Sequence, residues 1–227
     1  MLKFTPILLA IIWAYVMVRF STWRTARELD AKSNPLCDPK LEALTSRLAQ
    51  ALEVPKIKVN IYEVAPVNGL AAPDGRIFIT RGFFDKYLKG DVTGEELTSV
   101  IAHELGHVAL GHSRRRMIDF SGQNAIRTAL GMVLGRVLPG VGYYLANLLT
   151  TMLAARLSRQ DEYEADAYAS ALLVKSGIGL AAQKSLFVKL DALTKGGGGQ
   201  MAWLLSHPKT HERIKAIEAR EVAWGQH

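Results

Sequence analysis

The sequence predicts an α+β domain that is mainly α, with a small sheet just before one apolar helix and an apolar segment at the N-terminus. Three observations predict it. Apolar residues recur at helical spacing over most of the chain from Leu41 onward. Strand-like alternation is confined to about residues 56–80. An uncharged run of fifteen residues, 4–18, opens the chain. The expected organisation is an anchor over residues 1–20, a linker over 21–40 and one domain over 41–227, and 227 residues suffice for a substantial core.

Each element has its own signal. The apolar run lies between Lys3 and Arg19, which can snorkel to the two faces of a bilayer, and no small-residue cleavage site follows it. It reads as an uncleaved membrane anchor. Arg19, Arg24, Arg27 and Lys32 follow it, against Lys3 and the terminal amine before it, so the domain is expected on the cytoplasmic side of a single span, with the extracytoplasmic side as the alternative. Ser21–Lys40 is polar, contains Pro35 and Pro39, and reads as a tether. Leu41, Leu44, Leu48 and Leu52 mark a packed helix. Residues 56–62 alternate as a strand. Residues 68–72 and 76–80 flank Pro73-Asp74-Gly75 as a hairpin, and 81–89 form a short helix.

A net charge of +7, 49% hydrophobic residues and a mean hydropathy of +0.09 fit contact with anionic lipid. Nucleic acid is excluded as a partner, because no stacking motif or basic recognition helix is present. Cys37 is the only cysteine, so no intrachain disulfide forms.

The chemistry lies in Thr93–His112. Thr93 and Glu96 form a capping-box pair, and Leu97, Val100, Ile101, Leu105 and Val108 place one face of the helix in a core. His103-Glu104-Leu105-Gly106-His107 is the pattern H-E-x-x-H. Residues four apart share a helix face, so two neutral imidazoles there can bind one tetrahedral ion, zinc being the usual choice. Glu104 is rotated off the ligand line and can reach a metal-bound water. Burying these three groups without a metal would be costly. His112 stands five residues after His107, out of register on a straight helix, and reads as a helix-end residue favoured by the dipole. Glu162 and Asp166, again four apart, suit a ligand carboxylate and a carboxylate that orients a ligand imidazole. Glu164, two residues from Glu162, faces the other way.

H-E-L-G-H followed by Ser158-Arg159-Gln160-Asp161-Glu162-Tyr163-Glu164-Ala165-Asp166 resembles the HtpX and CAAX-prenyl-endopeptidase family of zinc metallopeptidases. Val67–Ile77 is similar to that family's strand pair upstream of the zinc helix, and Ser206–Ile214 to its "T-H-P-x-x-x-x-R-I" segment. The resemblance covers about Leu41–Ala219. It implies a gluzincin-like fold, one zinc held by His103, His107 and Glu162, and Glu104 as the base. It further implies His207 as an oxyanion stabiliser, with Asp166 and Arg213 in support. Asn68, Gly69, Leu70 and Ala71 would bind an extended peptide. The implied substrates are membrane-associated or misfolded proteins. One rival expectation is a non-catalytic zinc-binding scaffold of the same fold; the other, a CAAX-type prenyl peptidase, needs several membrane spans where the sequence offers one.

Residues 137–155 are nineteen without charge, which suits a second span. Glu162 must meet the two histidines on one side of the membrane, however, and the returning leg carries Arg127 and Arg136 with eight residues between them. Residues 123–157 therefore read as a hydrophobic helical hairpin packed on the domain or lying against lipid. Residues 180–193 and 209–224 are further helices, separated by the glycine run 196–199.

Overall fold

A computed structural model describes residues 5–72, 74–112, 128, 130–195 and 210–225. Helix α1 (Thr5–Ala31) leads into strand β1 (Ser33–Pro35) and helix α2 (Pro39–Ala51). Strands β2 (Val59–Tyr62), β3 (Gly69–Ala71) and β4 (Ile77–Thr80) follow. Five helices complete the order: α3 (Arg81–Leu88), α4 (Gly94–Ala109), α5 (Gly142–Lys175), α6 (Ala181–Lys195) and α7 (Thr210–Ala223). A helical leg over residues 130–137 precedes α5.

Helix α4 is the centre of the molecule. Its N-terminus carries the full capping box, with the Glu96 N–H donating to Thr93 Oγ1 at 3.2 Å and the Thr93 N–H donating to Glu96 Oε2 at 2.7 Å. Glu96 also accepts from Ser185 and Lys189, which ties the start of α4 to α6. One face of α4 packs on α2, another on α5 and α6, and its flank meets β3 and β4. Leu97, Val100, Ile101 and Ala102 are at most 1% exposed, as the apolar spacing requires.

The sheet order is β1-β2-β4-β3. β2 and β4 are parallel, and the two outer pairs are antiparallel. The expected hairpin is present, and it leaves β3 as an edge strand beside α4. In its register Asn68 and Ala72 bond inward to Thr80 and Arg76. By the alternation of an antiparallel ladder, the backbone groups of Gly69 and Ala71 face the open edge.

One expectation is corrected here. Residues 21–40 are not a tether. α1 runs unbroken to Ala31, Leu29 is buried with Ala72 and Phe78, and Tyr62 donates to Glu28 at 3.2 Å. Arg76 pairs with Asp30 at 2.6 Å, and β1 then adds to the sheet. The polar composition reflects one solvent face of a docked helix end. Among the described residues no helix is long and apolar enough to cross a membrane, and most side chains of the run 4–18 lie outside them.

The hairpin at residues 130–157 is formed, but its second leg does not stop before the acidic motif. That leg and the motif are one helix of 34 residues. Asp161, Glu162 and Glu164 therefore lie in mid-helix, far from any positive helix end. The tight crossing in the hairpin is at Gly142, where a Cβ would stand 2.2 Å from the Leu134 carbonyl oxygen, whereas Gly135 has open space at the same test.

Candidate metal centre

The central turns of α4 present His103, Glu104 and His107, and the facing turn of α5 presents Glu162. All four are nearly inaccessible, at 2–4% exposure. The Nε2 atoms of His103 and His107 are 3.1 Å apart. Glu162 brings Oε2 to 3.3 Å from His103 Nε2 and Oε1 to 3.5 Å from His107 Nε2. A tetrahedral ion with bonds of about 2.1 Å holds its ligand atoms roughly 3.4 Å apart. The three edges match that spacing.

The electrostatics point the same way. Burial pushes the His103 imidazole towards neutrality, but hydrogen bonds to Asp166 and Glu162 outweigh it and raise its pKa to about 9. Two buried imidazole nitrogens and a buried carboxylate converge here at the spacing of a shared ion. The donor set therefore fits a metal of the zinc type.

Asp166 sits behind His103, with Oδ1 3.0 Å from Nδ1. Arg213 of α7 grips the same carboxylate in a fork, from Nη2 at 2.7 Å and from Nε at 2.6 Å. Burial alone would raise the pKa of Asp166, but the guanidinium holds it down at about 2. Arg213 is 1% exposed, lies 3.6 Å from Glu162, and stacks over Phe187 at 4.4 Å. Its charge is kept against burial by Asp166, with Glu162 and Glu104 adding to the effect. One buried cation thus faces three carboxylates around the centre.

Two glycines shape this arrangement. A Cβ on Gly106 would come 2.9 Å from the Ala165 carbonyl oxygen, so glycine is what lets α4 and α5 approach closely enough to share an ion. Gly111 has φ +68° and ends the helix in the left-handed turn that glycine accepts without strain. The reading of His112 as a helix-end residue favoured by the dipole is overturned for this reason. The helix does not run straight past Ala109, and the turn folds His112 back into a fully buried position, with Nδ1 2.9 Å from His107 Nδ1.

Asn68, Gly69, Leu70 and Ala71 lie at and just before the edge strand beside α4. His207 and the glycine run 196–199 lie outside the described residues.

Comparison with known proteins agrees with this geometry. The model of Peptidase family M48 matches residues 35–221. Metalloprotease LoiP of Escherichia coli K12 is 30% identical over 207 residues, covering 89% of this chain and 79% of the relative. Metalloprotease YcaL of the same strain is 29% identical over 181 residues, covering 80% and 68%. Protease HtpX of Pseudomonas aeruginosa PAO1 is 25% identical over 197 residues, covering 71% and 66%. Among solved structures, S. mikatae Ste24p shares the fold with a TM-score of 0.54 at 21% identity, over 90% of this chain and 58% of that one. The match spans both metal-facing helices and the helix that carries Arg213, and on that basis the chain belongs to Peptidase family M48 and is a metallopeptidase.

Proposed function

We propose that the chain is a zinc-dependent endopeptidase acting on membrane-associated or misfolded proteins. The convergence of His103, His107 and Glu162 at tetrahedral spacing, with Glu104 beside them, carries this reading. These three residues would hold one zinc ion per chain. When bound, zinc supplies Lewis-acid polarisation of the scissile carbonyl and lowers the pKa of a water. Glu104 accepts the proton of the attacking water and passes it to the leaving amine. Asp166 keeps the proton of His103 on Nδ1, so that Nε2 remains free to ligate. Arg213 fixes Asp166 in turn. His207 donates to the developing oxyanion, on the strength of the family motif around it.

The substrate adds to the open edge of the sheet as an extended strand, pairing with the backbone of Gly69 and Ala71, while Asn68 and Leu70 hold the β3 register. Exposed Met132, Val133, Val137, Tyr143, Tyr144 and Leu148 on the hairpin, with Tyr15, Phe20 and Trp23 on α1, support contact with lipid. The four basic residues after the N-terminal run favour a cytoplasmic domain.

A non-catalytic zinc-binding scaffold is the second reading, and Glu104 counts against it, since a scaffold needs no buried carboxylate there. The test is degradation of casein by the full chain. Activity that disappears with a chelator and returns with stoichiometric zinc supports the peptidase. Tight zinc binding without turnover supports the scaffold.

A further inference from the structure

His112, Asp161 and Glu164 form a second nitrogen–oxygen cluster behind the metal centre, their ligand-type atoms within 4.8 Å of one another. At first sight it is a second metal site. Asp161 and His112 are buried, and Glu164 is 35% exposed at its side chain. His112 Nε2 stands 3.2 Å from Glu164 Oε2 and 3.8 Å from Asp161 Oδ1.

We propose that His112 is instead a positioning residue for the zinc centre, accepting the Nδ1–H of His107 and donating to Glu164, and that this proton order bars a second metal ion from the cluster. The inference rests on the zinc reading above. A neutral imidazole has one N–H and one lone pair. His107 offers its Nε2 lone pair to the centre, so its proton is on Nδ1. That atom faces His112 Nδ1 at 2.9 Å, so His107 donates and His112 accepts. The proton of His112 is then on Nε2, facing the Glu164 carboxylate. Every link is satisfied in one direction, from zinc ligand to carboxylate, by way of one intervening ring.

A metal on His112 would need the Nε2 lone pair. Its proton would move to Nδ1 and confront the Nδ1–H of His107 at 2.9 Å, two buried donors with no acceptor between them. The alternative is to strip one of the two rings, His107 or His112, to an imidazolate. Loading the first site therefore closes the second. His103 reaches a carboxylate directly, at Asp166, and His107 reaches one through His112.

The experiment measures zinc stoichiometry, and zinc affinity by chelator competition, in the full-length wild type, His112→Asn and His112→Leu. Asn and Leu are matched in size, but only Asn keeps an acceptor where Nδ1 stood. The expected result is one zinc per wild-type chain. Loss of the outer partner should weaken binding in His112→Leu about 10–100-fold, and His112→Asn should stay within a few-fold of wild type. A purely structural role would instead lower the apo-protein melting temperature equally in both variants and leave their affinities alike. Two zinc ions per wild-type chain would overturn the proposal, as would equal affinities in the two variants. A wild type that binds no zinc would overturn the peptidase reading along with it.

Discussion

Asp166 and Gly106 show how much of the centre depends on groups that are not expected to touch the metal. Asp166→Asn keeps the shape but removes the charge that Arg213 and His103 both engage. We expect zinc affinity to fall about 10–100-fold, read by chelator competition, with the far-ultraviolet circular dichroism unchanged. Gly106→Ala sets two effects against each other. Helix propensity favours alanine by up to about 1 kcal/mol. The added Cβ meets the Ala165 backbone at 2.9–3.0 Å, and overpacking costs about 1–3 kcal/mol. The melting temperature should therefore fall, and zinc affinity with it, because α4 and α5 are forced apart. That His103 and His107 share a face was legible because a four-residue spacing fixes a helix face whatever the fold, whereas Glu162, on a distant helix, was joined to them only by the family resemblance. The place of His112 was not legible, because it depends on the left-handed turn at Gly111, and counting residues along a straight helix cannot show that turn.

The elements around the site were legible where their signals are local. The capping box set the start of α4, and the turn signal at Asp74-Gly75 set the β3–β4 hairpin. Pairing between distant segments was not legible, so the parallel β2–β4 contact and the addition of β1 emerged only in three dimensions. The open edge of β3 makes a prediction of its own. Ala71→Pro removes an outward N–H and spares the inward ladder. It should raise KM for an extended peptide while leaving zinc content at wild type, as steady-state kinetics and metal analysis would show. At the other end of the sheet, Glu63 receives a fork from Arg81 at 2.7 and 2.8 Å and a bond from Asn34 at 3.0 Å. These bonds lower its pKa from 4.5 to about 2. A depressed carboxylate stabilises the fold above its unfolded pKa and loses that contribution as pH falls through the folded one. Glu63→Gln should thus cost up to about 1 kcal/mol at pH 7, given its partial exposure. Denaturant melts should show the gap closing between pH 4.5 and about 2.

The whole molecule joins a buried polar centre to an exposed apolar surface. Tyr144 is 73% exposed and Val137 70%, more than an isolated surface residue explains when Val141, Met132 and Leu148 are exposed nearby. Replacing Met132, Tyr144 and Leu148 by serine should reduce co-flotation with anionic vesicles while leaving zinc content unchanged. A cysteine at Tyr143 should resist membrane-impermeant label on intact cells if the domain is cytoplasmic. The docking of α1 onto the sheet was hidden in the sequence because, among the described residues, its buried anchor point is one leucine, Leu29, within a polar stretch. The central claim is that one zinc site, made by α4 and α5, performs hydrolysis with Glu104 as its base. The most direct measurement is zinc content and casein cleavage on the same preparations of wild type, Glu104→Gln and Glu162→Ala. Wild type should carry one zinc and cleave. Glu104→Gln should carry one zinc and lose about a hundredfold or more in rate, and Glu162→Ala should lose zinc and activity together. Cleavage retained by Glu104→Gln, or full zinc retained by Glu162→Ala, would contradict the account.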